Sequence, residues 1–380
     1  MICRAISAAP QRDRNFFLAL LQNAINLSQL NQIHAQIILT GHSTDLATLT
    51  KLTHKLFDVK AVSQAKLLFA SLANQISPDK FLYNELIRGF SQNGSPLDSI
   101  AVYSHLRRKT DMQPDKFTYS FVVPAVASSG FQKVGILLHG HVLVSGCGSD
   151  VFVGSALVDM YMSFSRTRDA FKVFEKTPER DGVLWNTMVS GMVKNFFFHE
   201  AVCIFHDMVV EGVKFDSTTL AMVLTAVAEL KELRAGMMIH CLAMKVGFHL
   251  DNYVLTGLIS FYSKCGDVSS ARWLFGLIRN PDLVSYNAMI SAFSCNEGTK
   301  SAVELFKELL NMGKKVNSST IVGLIPVSRP FGHLNLAKLI HGFCIKSSDV
   351  LNSSVSTALV TVYNRLSEIE SVSISLCIIH

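Results

Sequence analysis

Three octapeptides in this chain are versions of one another: YNELIRGF from Tyr83, WNTMVSGM from Trp185 and YNAMISAF from Tyr286. Their asparagines, Asn84, Asn186 and Asn287, are separated by 102 and 101 residues. Features unrelated to those asparagines keep the same step. His139, His240 and His341 advance by 101 and 101, and so do Tyr161, Tyr262 and Tyr363. Inside this period, Asp115, Asp150, Asp181, Asp216, Asp251, Asp282, Asn317 and Asn352 close smaller units of 35, 31, 35, 35, 31, 35 and 35 residues. Self-similarity at a period of roughly 20–50 residues specifies stacked copies of one small motif rather than a single globular core.

Each unit reads as two amphipathic helices. In 182–216, Trp185, Met188, Val189 and Met192 fall at helical spacing, a break follows at Lys194 and Asn195, and Ala201, Ile204, Phe205 and Met208 form a second stripe. Gly212 and Asp216 punctuate the turn before the next helix. Hydrophobic residues make up 49% of the 380-residue chain and charged ones 17%, which describes an ordered chain and excludes a disordered one. The formal net charge of +6 permits a polyanionic partner, although no dense Lys/Arg block occurs. The eight cysteines contain no C-x-x-C pair, which argues against zinc and against a disulfide framework, and they read as reduced thiols packed in the interior. Apolar runs such as 142–144 and 151–158 stop well short of the ~20 residues that a membrane span needs.

The alternation of lengths resembles the PLS class of pentatricopeptide repeat proteins of plants. It is carried by YN or WN opening the standard units, I-H-x-x-x-x-K or its variants in the long ones, and M-Y or F-Y in the short ones. Tetratricopeptide arrays have a uniform period of about 34 and a W-x2-L-G-x2-Y pattern, neither of which is present. The resemblance implies an all-α fold, a right-handed superhelical α-solenoid of helix-turn-helix repeats. Its boundaries are a degenerate long and short pair over 11–79 and three triplets over 80–181, 182–282 and 283–380, the last of them stopping within a short repeat. Residues 1–10, with Arg4 and no acid before Asp13, are a candidate targeting segment.

In this family each repeat reads about one base through the fifth and last residues of the repeat. The resemblance therefore assigns base reading to Asn84 with Asp115, Asn186 with Asp216, and Asn287 with Asn317 in the standard units. In the short units it assigns Thr50 with Asp79, Ser155 with Asp181, and Thr256 with Asp282, while Thr357 lacks a clear partner. The long units (Ser120 with Asp150, Ala221 with Asp251, Val322 with Asn352) are weak readers. A carboxylate only accepts hydrogen bonds and so suits the imino N–H of U or G, whereas an Asn amide both donates and accepts and tolerates C. The implied target is single-stranded organellar RNA of sequence G-U-N-G-U-N-G-Y-N. Bases would stack on the second residues of repeats, Phe81, Phe152, Val183, Tyr253 and Val284, and basic side chains along the groove would hold phosphates. Taken singly, an Asn or Asp at such a position is better explained as a helix cap or turn former, and recurrence of the paired types at fixed repeat positions reverses that preference.

The four histidines His34, His139, His240 and His341 occupy the twenty-fourth position of successive long repeats, too far apart to share a metal ion, and read as packing or hydrogen-bonding groups. Cys265-Gly266 reads as a turn, and Trp185 as core. Many relatives of the class end in a zinc deaminase that needs H-x-E with C-x-x-C, a combination this sequence lacks, so no cofactor, metal or catalytic residue is expected. With Val372 and Leu376 at core positions of an uncompleted repeat, the chain reads as a shortened form of a longer editing factor. The leading expectation is an RNA specificity factor for C-to-U editing in a plant organelle, the mitochondrion or alternatively the chloroplast, with the deaminase supplied by another chain and no membrane partner. RNA stabilisation or splicing, and a protein-interaction scaffold or inactive fragment, are the alternatives.

Overall fold

The computed structural model describes residues 14–75, 78–296, 298–314, 316–328, 334–347 and 352–365. The candidate targeting segment, Val372 and Leu376 lie outside the described residues. Two compact units, Met1–Gly191 and Met192–His380, are distinguished by their contacts. The first holds α1 (Arg14–Asn23), α2 (Leu27–Leu39), α3 (Leu46–Asp58), α4 (Val62–Gln75), α5 (Lys80–Gln92), α6 (Pro96–Lys109), α7 (Lys116–Ser129), α8 (Gln132–Val144), α9 (Val151–Ser163) and α10 (Thr167–Lys176). Helix α11 (Gly182–Lys194) spans the division. The second holds α12 (Phe198–Val210), α13 (Ser217–Leu230), α14 (Leu233–Lys245), α15 (Asn252–Lys264), α16 (Val268–Leu277), α17 (Leu283–Cys295), α18 (Thr299–Asn311), α19 (Ser318–Leu324), α20 (Leu334–Ser347) and α21 (Ser353–Arg365). The described residues contain no strand.

The helices begin where the sequence punctuates. Asp45, Asp79, Asp115, Asp150, Asp216, Asp251, Asp282 and Asn317 are N-caps in extended conformation, each accepting a hydrogen bond from a backbone N–H of the first turn. Such a cap is worth about 1 kcal/mol to its helix. First helices end in a left-handed residue that turns the chain back, supplied by Gly130 (φ 73°) and Gly266 (φ 86°), and also by Lys60, Ser165, Phe196 and Lys231. Cys265-Gly266 is thus the turn that the sequence indicated.

Within each unit the packing is two-layered. In the first, α3, α5, α7 and α9 lie side by side in order, and α6 packs both on its own first helix α5 and on the next, α7. In the second, α13, α15, α17, α19 and α21 form the same row. A first helix is therefore buried on several sides, while a second helix buries one stripe. Both stripes foreseen for 182–216 are buried, Trp185, Met188, Val189 and Met192 on α11 and Ala201, Ile204, Phe205 and Met208 on α12. Where rows approach closely there is no room for a side chain: a Cβ on Gly236 of α14 would enter the ring of Phe261 on α15.

The two 101-step series of histidines and tyrosines are one series of bonded pairs. His139 Nδ1 lies 2.8 Å from the Tyr161 hydroxyl, His240 3.0 Å from Tyr262, and His341 3.1 Å from Tyr363. Each pair ties the second helix of a long repeat to the first helix of the following short one. Burial lowers the pKa of all three histidines, so the neutral imidazole is the form that packs there. One expectation needs correction: Cys344 is buried, but Cys203, Cys241 and Cys295 are exposed. They fall on second helices or helix ends, where only one stripe is covered, and the residue type alone does not reveal which stripe. No described helix is long and apolar enough to cross a membrane, and no cluster of three or more His, Cys, Asp or Glu suited to a metal occurs among the described residues.

Candidate nucleic-acid interface

The last residue of each repeat caps the first helix of the next one, and the cap uses a single oxygen. Asp115 Oδ1 accepts from the Thr118 N–H (2.9 Å) and Asn84 Nδ2 (3.3 Å) and lies 3.0 Å from the Thr118 hydroxyl, whose one proton goes to the nearer Asn84 Oδ1, whereas Oδ2 has only Lys80 Nζ, at 3.9 Å. Asp282 Oδ1 accepts from the Ser285 N–H and hydroxyl, both at 2.8 Å. Asp79 and Asp181 accept through Oδ1 from Leu82 N and Leu184 N, each at 2.9 Å. Burial alone would raise the Asp115 carboxyl, but Thr118, the Asn84 amide and Lys80 outweigh it and hold it below the usual carboxylate range. The same balance, with Thr218 and Thr219 as donors, holds for Asp216, the cap of α13. At neutral pH both carboxylates are pure acceptors.

Asn84, Thr256 and Asn287 lie beside these caps on the neighbouring first helix. Asn84 on α5 is buried, its Oδ1 accepting from Thr118 Oγ1 at 2.7 Å and its Nδ2 donating to Asp115 Oδ1. One amide proton remains, so this pair offers a donor from Asn84 beside an acceptor from Asp115 Oδ2. Thr256 on α15 lies 3.0 Å from Ser285 Oγ. Ser285 Oγ lies nearer Asp282 Oδ1, at 2.8 Å, so its single proton goes there, Thr256 must donate to Ser285, and the Thr256 oxygen is left as an acceptor beside Asp282 Oδ2. Thr50 and Thr357 likewise donate within their helices, to Leu46 O and Ser353 O, each at 2.7 Å. In the third standard unit Asn287 Nδ2 donates to Asn317 Oδ1 at 3.3 Å, and that oxygen also accepts from the Thr320 N–H and hydroxyl, each at 3.0 Å. Asn317 therefore does not present both groups, as its amide suggested. The cap consumes the oxygen and leaves Nδ2, so the pair is donor beside donor. Ser155 Oγ on α9 is buried without a partner. Asn186 is half-buried on α11.

Phe81 stands beside Thr50 and Asp79, and Tyr253 and Val284 beside Thr256 and Asp282. Phe81, Phe152, Val183, Tyr253 and Val284 are all more than 60% exposed, although each sits in the first turn of a helix most of whose other apolar residues are buried. A cleft of about 340 Å³ is lined by Thr256 and Asp282 together with Tyr253 and Val284. A second, of about 630 Å³, joins Thr50, Asp79 and Phe81 to the cations Arg14 and Lys51. A third, also about 630 Å³, runs from Asn287 past Ser318 and Ser319 to Ser354.

Three groups at this surface escaped the sequence reading. Phe117, 55% exposed with Lys116 Nζ 5.6 Å from its ring centroid, occupies the second position of a long unit. The register that flagged Phe81 and Phe152 would have found it. Lys80 and Lys116, each the first residue of its helix, ion-pair with the second oxygens of Asp115 (3.9 Å) and Asp150 (3.3 Å). The buried third-position hydroxyls Thr118, Thr219 and Thr320 recur at steps of 101 and 101.

Comparison with known proteins places the family and the fold. The family described as PPR repeat matches residues 81–110, 183–213, 253–280 and 284–313. Pentatricopeptide repeat-containing protein At4g30700 of Arabidopsis thaliana is 46% identical over 378 residues, covering 98% of this chain and 47% of the relative. At5g27110, a pentatricopeptide repeat-containing protein of the same plant, is 29% identical over 355 residues, covering 92% of this chain and 51% of its own. The chain thus spans about half the length of these curated relatives. The crystal structure of the pentatricopeptide repeat protein PPR10 in complex with an 18-nt psaJ RNA element is similar with a TM-score of 0.70 at 14% identity, over 94% of this chain and 58% of that one. That likeness is one of fold, an all-α solenoid of helical hairpins. Matched repeats, 46% identity along nearly the whole chain and a shared fold together make this chain a member of the pentatricopeptide repeat family.

Proposed function

We propose that the chain binds single-stranded RNA base by base, each fifth residue and the following helix cap reading one Watson–Crick edge. The observation that carries this reading is the match between what the pairs offer and what bases need. Acceptor beside acceptor (Thr256 with Asp282) suits guanine, whose edge places two donors, N1–H and the 2-amino group, side by side. Donor beside acceptor (Asn84 with Asp115) suits uracil, with a carbonyl next to N3–H. Donor beside donor (Asn287 with Asn317) suits cytosine, whose N3 and O2 only accept. Tyr253 and Val284 flank one such pair in a single cleft, where they would sandwich a base and add stacking that every base accepts. PPR10, of similar fold, is described in complex with an RNA element.

The proposed target is G-U-N-G-U-N-G-Y-N, and the proposed role is to position an organellar transcript, in the mitochondrion or alternatively the chloroplast, for C-to-U editing by a deaminase on another chain. Binding of the purified chain to RNA containing G-U-N-G-U-N-G-C, compared with the same RNA carrying G at both U positions, tests the reading. The expected preference is about tenfold or more, equivalent to ~1.4 kcal/mol of lost hydrogen bonding. Equal, salt-sensitive binding to both RNAs contradicts base reading, and no binding contradicts the RNA role. In plants lacking the protein, loss of C-to-U conversion in a transcript bearing the element supports the editing role, whereas normal editing with altered transcript abundance or splicing would replace it.

A further inference from the structure

We infer that the third residue of the following repeat, Thr118 for the Asn84–Asp115 pair and Ser285 for the Thr256–Asp282 pair, is a positioning residue that sets which hydrogen-bonding group the fifth residue shows to RNA. This rests on the base-reading function proposed above and adds to it a residue that touches no base.

Thr118 is fully buried, so its hydroxyl cannot contact a ligand, yet it lies at the junction of both reading side chains. Its 2.7 Å contact with Asn84 Oδ1 is the shortest in the cluster, shorter than its 3.0 Å contact with Asp115 Oδ1 or the 3.3 Å contact between the two readers. An amide can turn over to exchange oxygen for nitrogen. With Thr118 engaging Oδ1, turning Asn84 over would remove that bond and bring its oxygen against the Asp115 carboxylate. The amide therefore shows RNA a donor. Ser285, also fully buried, acts on a hydroxyl instead of an amide: by giving its proton to Asp282 it obliges Thr256 to donate inward and show RNA an acceptor.

The chain contains its own contrasts. Leu184 holds the third position opposite Ser155, and Ser155 Oγ is buried with no partner, so nothing in the protein decides whether that hydroxyl donates or accepts. Asn287 faces Thr320, whose hydroxyl is turned onto Asn317, and Asn287 Oδ1 is buried without a partner. The Asn84 and Thr256 sites are locked, while the Ser155 site and the Asn287 oxygen are not. The consequence is uneven discrimination along the RNA, strict at the first two and permissive at the Ser155 site, although the fifth and last residues of Ser155–Asp181 and Thr256–Asp282 are chemically alike.

The test uses the full chain and RNA containing G-U-N-G-U-N-G-C, with U→C at the nucleotide facing Asn84 and, as an internal control, G→A at the nucleotide facing Thr256. In T118V the U-over-C preference at the first nucleotide should fall about fivefold or more, the loss of one buried hydrogen bond, while the G-over-A preference at the second is unchanged. T118S should restore it. S285A should show the converse pattern. A merely structural role would weaken binding to all RNAs equally, and that outcome overturns the inference, as does T118V with undiminished preference. If T118V does not fold, S285A and T118S decide: unchanged selectivity in S285A overturns the inference. If the unmodified chain binds RNA without base preference, the base-reading proposal fails, and this one with it.

Discussion

Phe196 occupies the left-handed turn between α11 and α12 with φ 65°, and its ring is 79% exposed. The same turn is made by Gly130 and Gly266 elsewhere, and a side chain with a Cβ costs about 1 kcal/mol in that conformation. Phe196→Gly should therefore raise unfolding stability by about 0.5–1 kcal/mol, measured by urea denaturation, because it relieves the backbone and gives up little packing. The sequence marked a break at Lys194 and Asn195 but not its left-handed residue, since nothing about phenylalanine announces that conformation. Asp115 is the opposite case. Its two readings, helix cap and base reader, were both visible, and they are compatible because the cap occupies Oδ1 and leaves Oδ2 for the proposed reading. What residue types could not show was which atom of an Asn or Thr is already spent. That depends on a hydroxyl three residues into the next repeat, and Thr118, Thr219 and Thr320 drew no attention even though they keep the 101-residue step.

Between elements, the histidine–tyrosine pairs are the recurring polar joint. His240 on α14 and Tyr262 on α15 lie 3.0 Å apart, so Tyr262→Phe should cost about 1 kcal/mol by removing one largely buried hydrogen bond. The pairs also confer a pH dependence. Because burial lowers the folded-state pKa of His139, His240 and His341 below the unfolded value of about 6.5, the unfolded chain binds more protons as pH falls below that value. Stability is then full above it and declines down to the folded-state pKa values. The melting temperature should drop between about pH 7.5 and 5.5, and replacing all three histidines with glutamine should flatten that drop. Both series were legible as separate periodicities with a constant offset of 22 residues. Their partnership was not, because it depends on the second helix of a long repeat lying against the first helix of the next. His34 has Leu56 at that offset, so the joint is absent from the first round.

On the scale of the whole chain, the architecture was legible in the periodicity of the sequence. The helix starts at Asp79, Asp115, Asp216 and Asp282 coincide with the punctuation in the sequence. Less legible was the line of exposed second-position side chains as a surface, since Phe81 and Tyr253 differ from core aromatics only in which way the first turn faces. If the repeats read RNA through hydrogen-bond complementarity, exchanging one reading atom should change one base and nothing else. Asp115→Asn is the exchange that isolates it, because Asn317 shows that asparagine caps the same kind of helix while presenting nitrogen instead of oxygen. We would measure binding of the D115N chain to RNAs differing only at the nucleotide that faces Asn84. The preference there should move from U to C, with the neighbouring preferences and the folding stability nearly unchanged. A uniform loss of affinity for all four bases, or an unchanged preference for U, would contradict it.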